Sequence, residues 1–180
     1  MIDPHIQQLQ ALILAPTREV AYRNYELFSK LGGSMNISIA SCTNKPGSEE
    51  NLQEINAQIV IGTVLGIKKM KNKGLVQLGK VRLLVLDETD EIFSRGLEVD
   101  LRYLTKLLAD ETQIIVSTCT MPGEVKKYTE EFMNDPVIIS QKQPEPLNVS
   151  HFQVDVEKDG WKFDTICDLL EVIGNDWRWL

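Results

Sequence analysis

Short apolar runs alternate along the chain with longer stretches in which apolar residues recur at helical spacing. Each run is too short and too uniformly apolar for a surface helix, and Pro16, Gly62 and Asp87 mark the ends of three of them. Such runs are typical of strands that are buried on both faces of a parallel sheet. The pattern predicts strands over residues 11–16, 37–40, 58–62, 81–86, 113–117 and 137–139.

The stretches between these runs predict helices over residues 18–31, 49–55, 63–70, 91–108 and 122–133. Thr17 and Ser48 stand where a side chain can cap a helix, and Pro122 fits a first helical turn. Gly96 weakens the first turns of the long helix 91–108. Regular alternation of strand and helix predicts an α/β fold with right-handed crossovers.

The last forty residues have a different character. Residues 141–150 are polar and rich in proline, which is typical of a linker, and a single strand (151–156) and helix (162–173) follow. Two elements cannot bury a core of their own. We therefore expect a partial first domain (1–140), a linker (141–150) and the start of a second domain (151–180). Trp177 and Trp179 lie on a short tail whose role the sequence leaves open.

Composition and charge narrow the function classes. The 180 residues suit one domain or one domain plus a fragment, and a hydrophobic share of 43% is enough for a real core. The net charge of -7 argues against a general, charge-driven nucleic-acid binder. A local RNA track stays open. No run predicts a membrane span. Cys42, Cys119 and Cys167 are odd in number and far apart, which predicts reduced thiols in the cytosol or nucleus.

An acidic group follows the strand 81–86: Asp87, Glu88 and, after Thr89, Asp90. In open α/β sheets the working groups lie just beyond the carboxyl ends of strands. Adjacent carboxylates there can position magnesium and orient an attacking water in a nucleoside triphosphatase. The alternative is that the acids only favour the N-terminus of the next helix, where its dipole attracts negative charge.

Three motifs in this order resemble those of the DEAD-box RNA helicases: Pro16-Thr17-Arg18-Glu19, Asp87-Glu88-Thr89-Asp90 and Thr118-Cys119-Thr120-Met121-Pro122. The resemblance is closest to the initiation-factor-4A subfamily and extends to about residue 173. It implies an incomplete RecA-like parallel-sheet domain with helices on both faces, followed by the first strand and helix of a second such domain.

The resemblance also implies ATP-driven unwinding of short RNA duplexes, with ATP and magnesium as cofactors. Asp87 would hold magnesium through water, Glu88 would activate the hydrolytic water, and Asp90 would couple to Thr118 and Thr120. The residues implied in RNA-backbone binding are Pro16, Thr17, Arg18 and Thr63. For Thr17 and Arg18, a helix cap and a solvated charge are the alternative. The implied partners are RNA and translation initiation factors, with no membrane, in the cytoplasm or nucleus.

Departures from the family pattern shape the functional expectation. The sequence contains no glycine-rich loop ending in Gly-Lys-Thr to cradle nucleotide phosphates, so we expect the isolated chain to hydrolyse no ATP. The family's Gly-Gly motif corresponds to Ser41-Cys42, and its Thr-Pro-Gly-Arg motif to residues 63–66. Three hypotheses follow: a helicase of which this is a fragment, a degenerate RNA- or protein-binding paralogue, and a remnant.

A run of basic residues follows positions 63–66. It could hold RNA or form a solvated helix face: Lys68, Lys69, Lys71 and Lys73.

Overall fold

Five parallel strands form the sheet at the centre of the first part of the chain. The computed structural model describes residues 2–42, 56–141 and 152–173. The strands are β1 (Ala11–Ala15), β2 (Ile39–Cys42), β3 (Ile59–Thr63), β4 (Leu83–Leu86) and β5 (Gln113–Val116). They lie in the order β2-β3-β1-β4-β5, and every neighbouring pair is parallel. The α/β class and the parallel sheet predicted from the sequence are confirmed.

Helices cover both faces of the sheet. Helix α1 (Arg18–Gly32) packs on one face, where Ala21 joins the buried side chains of Ala11, Ile13 and Ile61. The other helices of this unit are α2 (Val64–Asn72), α3 (Thr89–Ser94), α4 (Glu98–Thr105) and α5 (Gly123–Phe132). They contribute to the larger core on the opposite face, which the alternate residues Leu12, Leu14, Leu84 and Leu86 share. This alternation follows from the two-residue period of strands.

The predicted helix 91–108 is wrong as a single element, because the structure divides it into α3 and α4. Gly96 lies between them with a φ of 72°, a left-handed conformation that glycine adopts without steric cost. Its N–H donates to the carbonyl of Phe93 at 2.8 Å, which closes the last turn of α3. Gly96 therefore ends a helix, whereas the sequence predicted only a weakened one.

The predicted sixth strand over residues 137–139 is also wrong. Val137, Ile138 and Ile139 are 89%, 80% and 94% exposed and have no strand assignment. Strands exist through pairing, and within the described residues β5 pairs with β4 alone and ends the sheet. An apolar β-branched run without a neighbouring strand stays unpaired, whatever its propensity.

The chain divides into two units, Met1–Val137 and Ile138–Leu180. In the second unit, helix α6 (Lys162–Ile173) forms where the sequence predicted it. Residues 152–156 form no strand, so the predicted strand 151–156 is wrong over the residues described, because a lone strand has no ladder partner.

Three predicted segments lie outside the described residues: the helix 49–55, most of the linker 141–150 and the tail with Trp177 and Trp179. No helix in the described part of the chain is both long and apolar enough to span a bilayer.

Candidate functional site

The carboxyl ends of four strands bring the sequence-predicted residues to one edge of the sheet. Ala15 pairs with Thr63, and Leu14 pairs with Leu86. Leu86 pairs in turn with Val116 at the end of β5. Since the strands are parallel and in register, the loops after β1, β3, β4 and β5 all leave the sheet at this edge. The three motifs singled out in the sequence therefore meet there.

Two helices begin side by side at this edge, each capped by a threonine. Thr17 Oγ1 accepts a hydrogen bond from the N–H of Val20 at 3.2 Å, and Thr63 Oγ1 accepts one from Gly66 at 3.2 Å. The N-cap residues have extended backbones and start α1 and α2. The capping alternative considered for Thr17 is thus observed. Both helices point the positive ends of their dipoles at the same edge, which favours a bound anion.

The four residues predicted for RNA binding differ in their exposure to solvent. Arg18 is exposed at the first position of α1, and Thr17 and Thr63 are partly exposed. Pro16 is buried directly after β1, where a proline can end the strand. The structure therefore brings Thr17, Arg18 and Thr63 together at the surface. Their predicted contact with RNA remains a prediction.

The predicted catalytic carboxylates lie against helix α1. The backbone N–H of Asp87 donates to the carbonyl of Leu14 at 2.9 Å, which extends the β1–β4 ladder by one residue. Asn24 Nδ2 donates to Asp87 Oδ2 at 2.8 Å. Arg23 Nη2 lies 3.5 Å from Glu88 Oε1. Both carboxylates are thus engaged by side chains that the sequence interpretation missed; the only signal was a polar pair on the helix that follows Arg18.

Glu88 occupies a strained backbone position, with φ 49° and ψ 53°. This left-handed conformation is uncommon for residues other than glycine, and it costs about 1–2 kcal/mol for a residue with a Cβ. Such positions cluster at functional sites. Glu88 is also the residue before α3, so the turn directs its side chain back towards α1 and Arg23.

The groups around Asp87 and Glu88 do not fit a resident magnesium ion. Magnesium takes oxygen ligands in a near-octahedral arrangement. Here an amide NH₂, which can only donate, is directed at Asp87 Oδ2, and a guanidinium group lies beside Glu88. Among the described residues no cluster of three or more His, Cys, Asp or Glu side chains is placed to hold a metal ion. The amide donor at Asp87 Oδ2 would have to give way before that oxygen could hold magnesium through water, and this role of Asp87 remains a prediction.

Asp90 joins the loop after β4 to the loop after β5. Its Oδ2 accepts hydrogen bonds from the backbone N–H of Thr120 at 2.9 Å and from Thr120 Oγ1 at 2.8 Å. Thr118 Oγ1 donates to the carbonyl of Thr120. Partial burial raises the pKa of Asp90, but hydrogen bonds from Thr120, Thr118 and the Cys119 backbone outweigh it, so the pKa lies below its usual value. The structure thus brings together the three residues predicted to couple these motifs.

One glycine in β3 and one in α2 allow close packing against the end of β2. A Cβ on Gly66 would lie 2.5 Å from the carbonyl oxygen of Cys42, and one on Gly62 would lie 2.9 Å from Cys42 Cβ. Cys42 is 5% exposed, and burial raises the pKa of its thiol to about 12, so it is an inert core residue. Leu65 is 52% exposed beside them. Of the two residues at the Ser41-Cys42 departure, Cys42 is therefore part of the core, whereas Ser41 is half-buried.

The basic run on α2 has at least one structural partner. Lys68 Nζ pairs with Asp100 on α4 and lies 5.9 Å from the centre of the Tyr103 ring. A lysine held between a carboxylate and an aromatic ring contributes to packing between α2 and α4. For Lys68, this favours the structural alternative over an RNA-binding role.

Comparisons with known proteins agree with this architecture. The sequence profile of the DEAD/DEAH box helicase family matches residues 1–128. The chain is 38% identical over 176 residues to the ATP-dependent RNA helicase eIF4A of Mycosarcoma maydis, covering 96% of this chain and 43% of that relative. It is 33% identical over 175 residues to eukaryotic initiation factor 4A of Caenorhabditis elegans, again covering 43% of the relative. The chain thus spans less than half the length of these relatives.

Solved structures show the same fold. The crystal structure of a DEAD box protein from the hyperthermophile Methanococcus jannaschii superposes with a TM-score of 0.73 at 28% identity, covering 95% of this chain and 46% of that one. Dbp5 of S. cerevisiae, bound to RNA and ADP BeF3, gives a TM-score of 0.70 at 27% identity and covers 78% of this chain and 36% of that one. The fold is RecA-like, with its polar loops gathered at one sheet edge. The chain belongs to the DEAD/DEAH box helicase family.

Proposed function

We propose that the chain carries the RNA-backbone-binding face of an ATP-dependent RNA helicase of the initiation-factor-4A type, and that these 180 residues alone bind RNA without hydrolysing ATP. The Mycosarcoma maydis relative carries that activity in its name, and the Caenorhabditis elegans relative is named as initiation factor 4A. ATP and magnesium are the cofactors that the family implies. RNA is the proposed partner, together with translation initiation factors, and the cytoplasm is the proposed place of action.

The observation that carries the RNA-binding proposal is the pairing of Ala15 with Thr63, which sets the starts of α1 and α2 next to each other. Backbone N–H groups in a first helical turn have no backbone acceptor within the helix, and here the Thr17 and Thr63 caps engage only those of Val20 and Gly66. Two such turns, with the exposed Arg18 beside them, provide donors and positive potential for successive phosphates of one strand. Contacts of this kind hold the backbone and read no bases.

Hydrolysis by this chain requires a held nucleotide. Phosphoryl transfer is catalysed by positioning and by neutralisation of charge on the phosphates. The sequence supplies no glycine-rich loop with a terminal Gly-Lys-Thr, and Asn24 and Arg23 already engage the two carboxylates. We therefore place the chain's own role in binding, and this favours the non-catalytic alternative for the isolated polypeptide.

Release of inorganic phosphate from ATP, with and without RNA, tests the hydrolysis part of the proposal. The expected rate equals that of an Asp87→Ala, Glu88→Ala double variant assayed beside it. An RNA-stimulated rate that disappears in the double variant would show that the carboxylates act on a bound nucleotide and would overturn this part. Circular dichroism of both proteins verifies that the variant keeps the fold.

A further inference from the structure

Helix α1 supplies a partner to each carboxylate of the acidic motif. Asn24 Nδ2 donates to Asp87 Oδ2 at 2.8 Å across 63 positions of sequence. Arg23 lies 3.5 Å from Glu88 Oε1, with its side chain 71% exposed. We propose that these contacts make Asp87 and Glu88 a metal-free junction that fastens α1 to the turn between β4 and α3, in place of a magnesium site.

The chemistry of the donors carries this inference. An asparagine NH₂ presents hydrogens and no lone pair, so it competes with a cation for Asp87 Oδ2. Arg23 carries a guanidinium cation, and its charge repels a divalent ion from Glu88. A cation that binds Asp87 Oδ2 would have to displace the first contact, and one that binds Glu88 would have to outweigh the second. Arg23 and Asn24 therefore both lower the affinity of Asp87 and Glu88 for a cation.

The backbone around the pair holds the carboxylates towards α1. The N–H of Asp87 is bound to Leu14 of β1, and the N–H of Thr89 donates to the carbonyl of Ser117 at 2.9 Å. Glu88 between them takes the left-handed conformation. With the backbone bound on both sides of Glu88, the Cα–Cβ bonds of Asp87 and Glu88 keep their directions, and the two carboxylates meet Asn24 and Arg23 of α1. Arg23 and Asn24 are thus positioning residues for the acidic motif.

The junction predicts how the chain binds divalent metal ions, which the RNA-binding proposal does not. If the junction is present, the metal titration gives the same result whether or not the chain binds RNA. The proposal therefore goes beyond the proposed function, and the two can fail separately. Its direct consequence is that removing the α1 partners creates a cation site that the natural sequence lacks.

Titration with Mn²⁺, followed by the electron paramagnetic resonance of the free ion, measures this directly. Mn²⁺ is the probe because it suits carboxylate ligands. The proteins are the natural chain, Asp87→Asn, an Arg23→Gln, Asn24→Ala double variant and the same variant with Asp87→Asn added. Lys30→Gln, which removes an exposed positive charge from the last turn of α1, is the matched control.

We expect the natural chain, Asp87→Asn and Lys30→Gln to bind Mn²⁺ equally weakly. The double variant should bind at least about fivefold more tightly, as expected for removal of one nearby charge and one competing donor at a partly exposed site. Adding Asp87→Asn should abolish the gain. Mn²⁺ binding by the natural chain that Asp87→Asn removes, or a double variant without a gain, overturns the proposal.

The single variant Arg23→Gln provides a second test of the junction if the double variant does not fold. Arg23 is exposed, so its replacement leaves the core unchanged. It should move Mn²⁺ affinity in the same direction by a smaller factor, and an unchanged affinity contradicts the charge part of the junction. Far-ultraviolet circular dichroism of each protein, recorded before titration, identifies the folded ones.

Discussion

Asp90 accepts two hydrogen bonds from Thr120, one from the backbone N–H at 2.9 Å and one from the hydroxyl at 2.8 Å. The two residues follow neighbouring parallel strands, β4 and β5, and they hold the loops of both strands in one arrangement. Replacing Asp90 by Asn keeps the shape but removes the charge that strengthens both bonds. We expect Asp90→Asn to lower the free energy of unfolding by about 1 kcal/mol, since the site is partly exposed.

Urea denaturation measures this change, with Asp110→Asn as the control because Asp110 is an exposed carboxylate of the same size. The natural protein and the control should unfold alike at pH 7. A change as large in Asp110→Asn would assign the effect to net charge and not to the contact with Thr120.

The depressed pKa of Asp90 predicts a pH dependence of stability. The folded protein binds this proton less readily than the unfolded chain, whose ordinary carboxyl pKa is 3.8. The stabilisation is therefore complete above that value and is lost as pH falls through the lower pKa of the folded state. The difference in unfolding free energy between the natural protein and Asp90→Asn should shrink in this acid range. A difference that grows on acidification contradicts the sign of the pKa shift.

Gly66→Ala should destabilise the protein by about 1–3 kcal/mol, the usual cost of overpacking. The new Cβ would lie 2.5 Å from the backbone oxygen of Cys42, and backbone at the end of a sheet strand cannot move aside easily. Thermal or urea unfolding measures the effect. Gly123→Ala is the matched control, because a Cβ at the start of α5 meets nothing within 4 Å. Equal stability of the two variants would contradict the close approach of α2 to Cys42.

Tyr128→Phe should cost about 1–2 kcal/mol, because it leaves a buried oxygen without a donor. Thr105 Oγ1 already donates to the carbonyl of Leu101 at 3.0 Å, so in the 2.6 Å contact between the hydroxyls Tyr128 is the donor. Burial raises the pKa of Tyr128 to about 12, which keeps the hydroxyl protonated. Tyr103→Phe, whose hydroxyl donates to Asn72 at 3.3 Å on the surface, should change urea stability much less. A reversed order would contradict the assignment.

Arg18→Gln should weaken binding to single-stranded RNA. Loss of one phosphate contact reduces the slope of log affinity against log salt by about 0.7 for a single strand. Anisotropy titrations at several salt concentrations measure this slope. Lys127→Gln, an exposed lysine on α5, removes the same charge away from the starts of α1 and α2. An equal loss in both variants would attribute binding to net charge alone.

The sequence predicted most of the sheet because its strands are buried and uniformly apolar. β1, β3, β4 and β5 appear within about two residues of the expected ends, a common margin for element boundaries. The motif residues meet at one edge because parallel strands share their carboxyl edge. Local patterns suffice for both results, since each depends on short stretches of chain and on a general rule of topology.

Local sequence patterns did not predict the features that depend on residues far apart in the chain. Residues 137–139 have strand composition, but pairing needs a neighbour, and β5 ends the sheet of the described chain. Gly96 could weaken or end a helix, and the local sequence does not distinguish the two. The contact of Asn24 with Asp87 joins residues 63 positions apart. No periodicity reports such a pair, so it came only from the structure.

The measurement that tests the central claim most directly is fluorescence anisotropy of a short labelled single-stranded RNA, titrated with the 180-residue chain in the presence and absence of magnesium and ATP. We predict binding whose affinity is the same in both conditions, because the proposed phosphate contacts come from the starts of α1 and α2, and the sequence contains no glycine-rich loop for the phosphates of ATP. Absence of binding would contradict the RNA-binding role. Binding that tightens with magnesium and ATP, and loses this response in the Asp87→Ala, Glu88→Ala variant, would contradict the claim that the acidic motif serves no nucleotide.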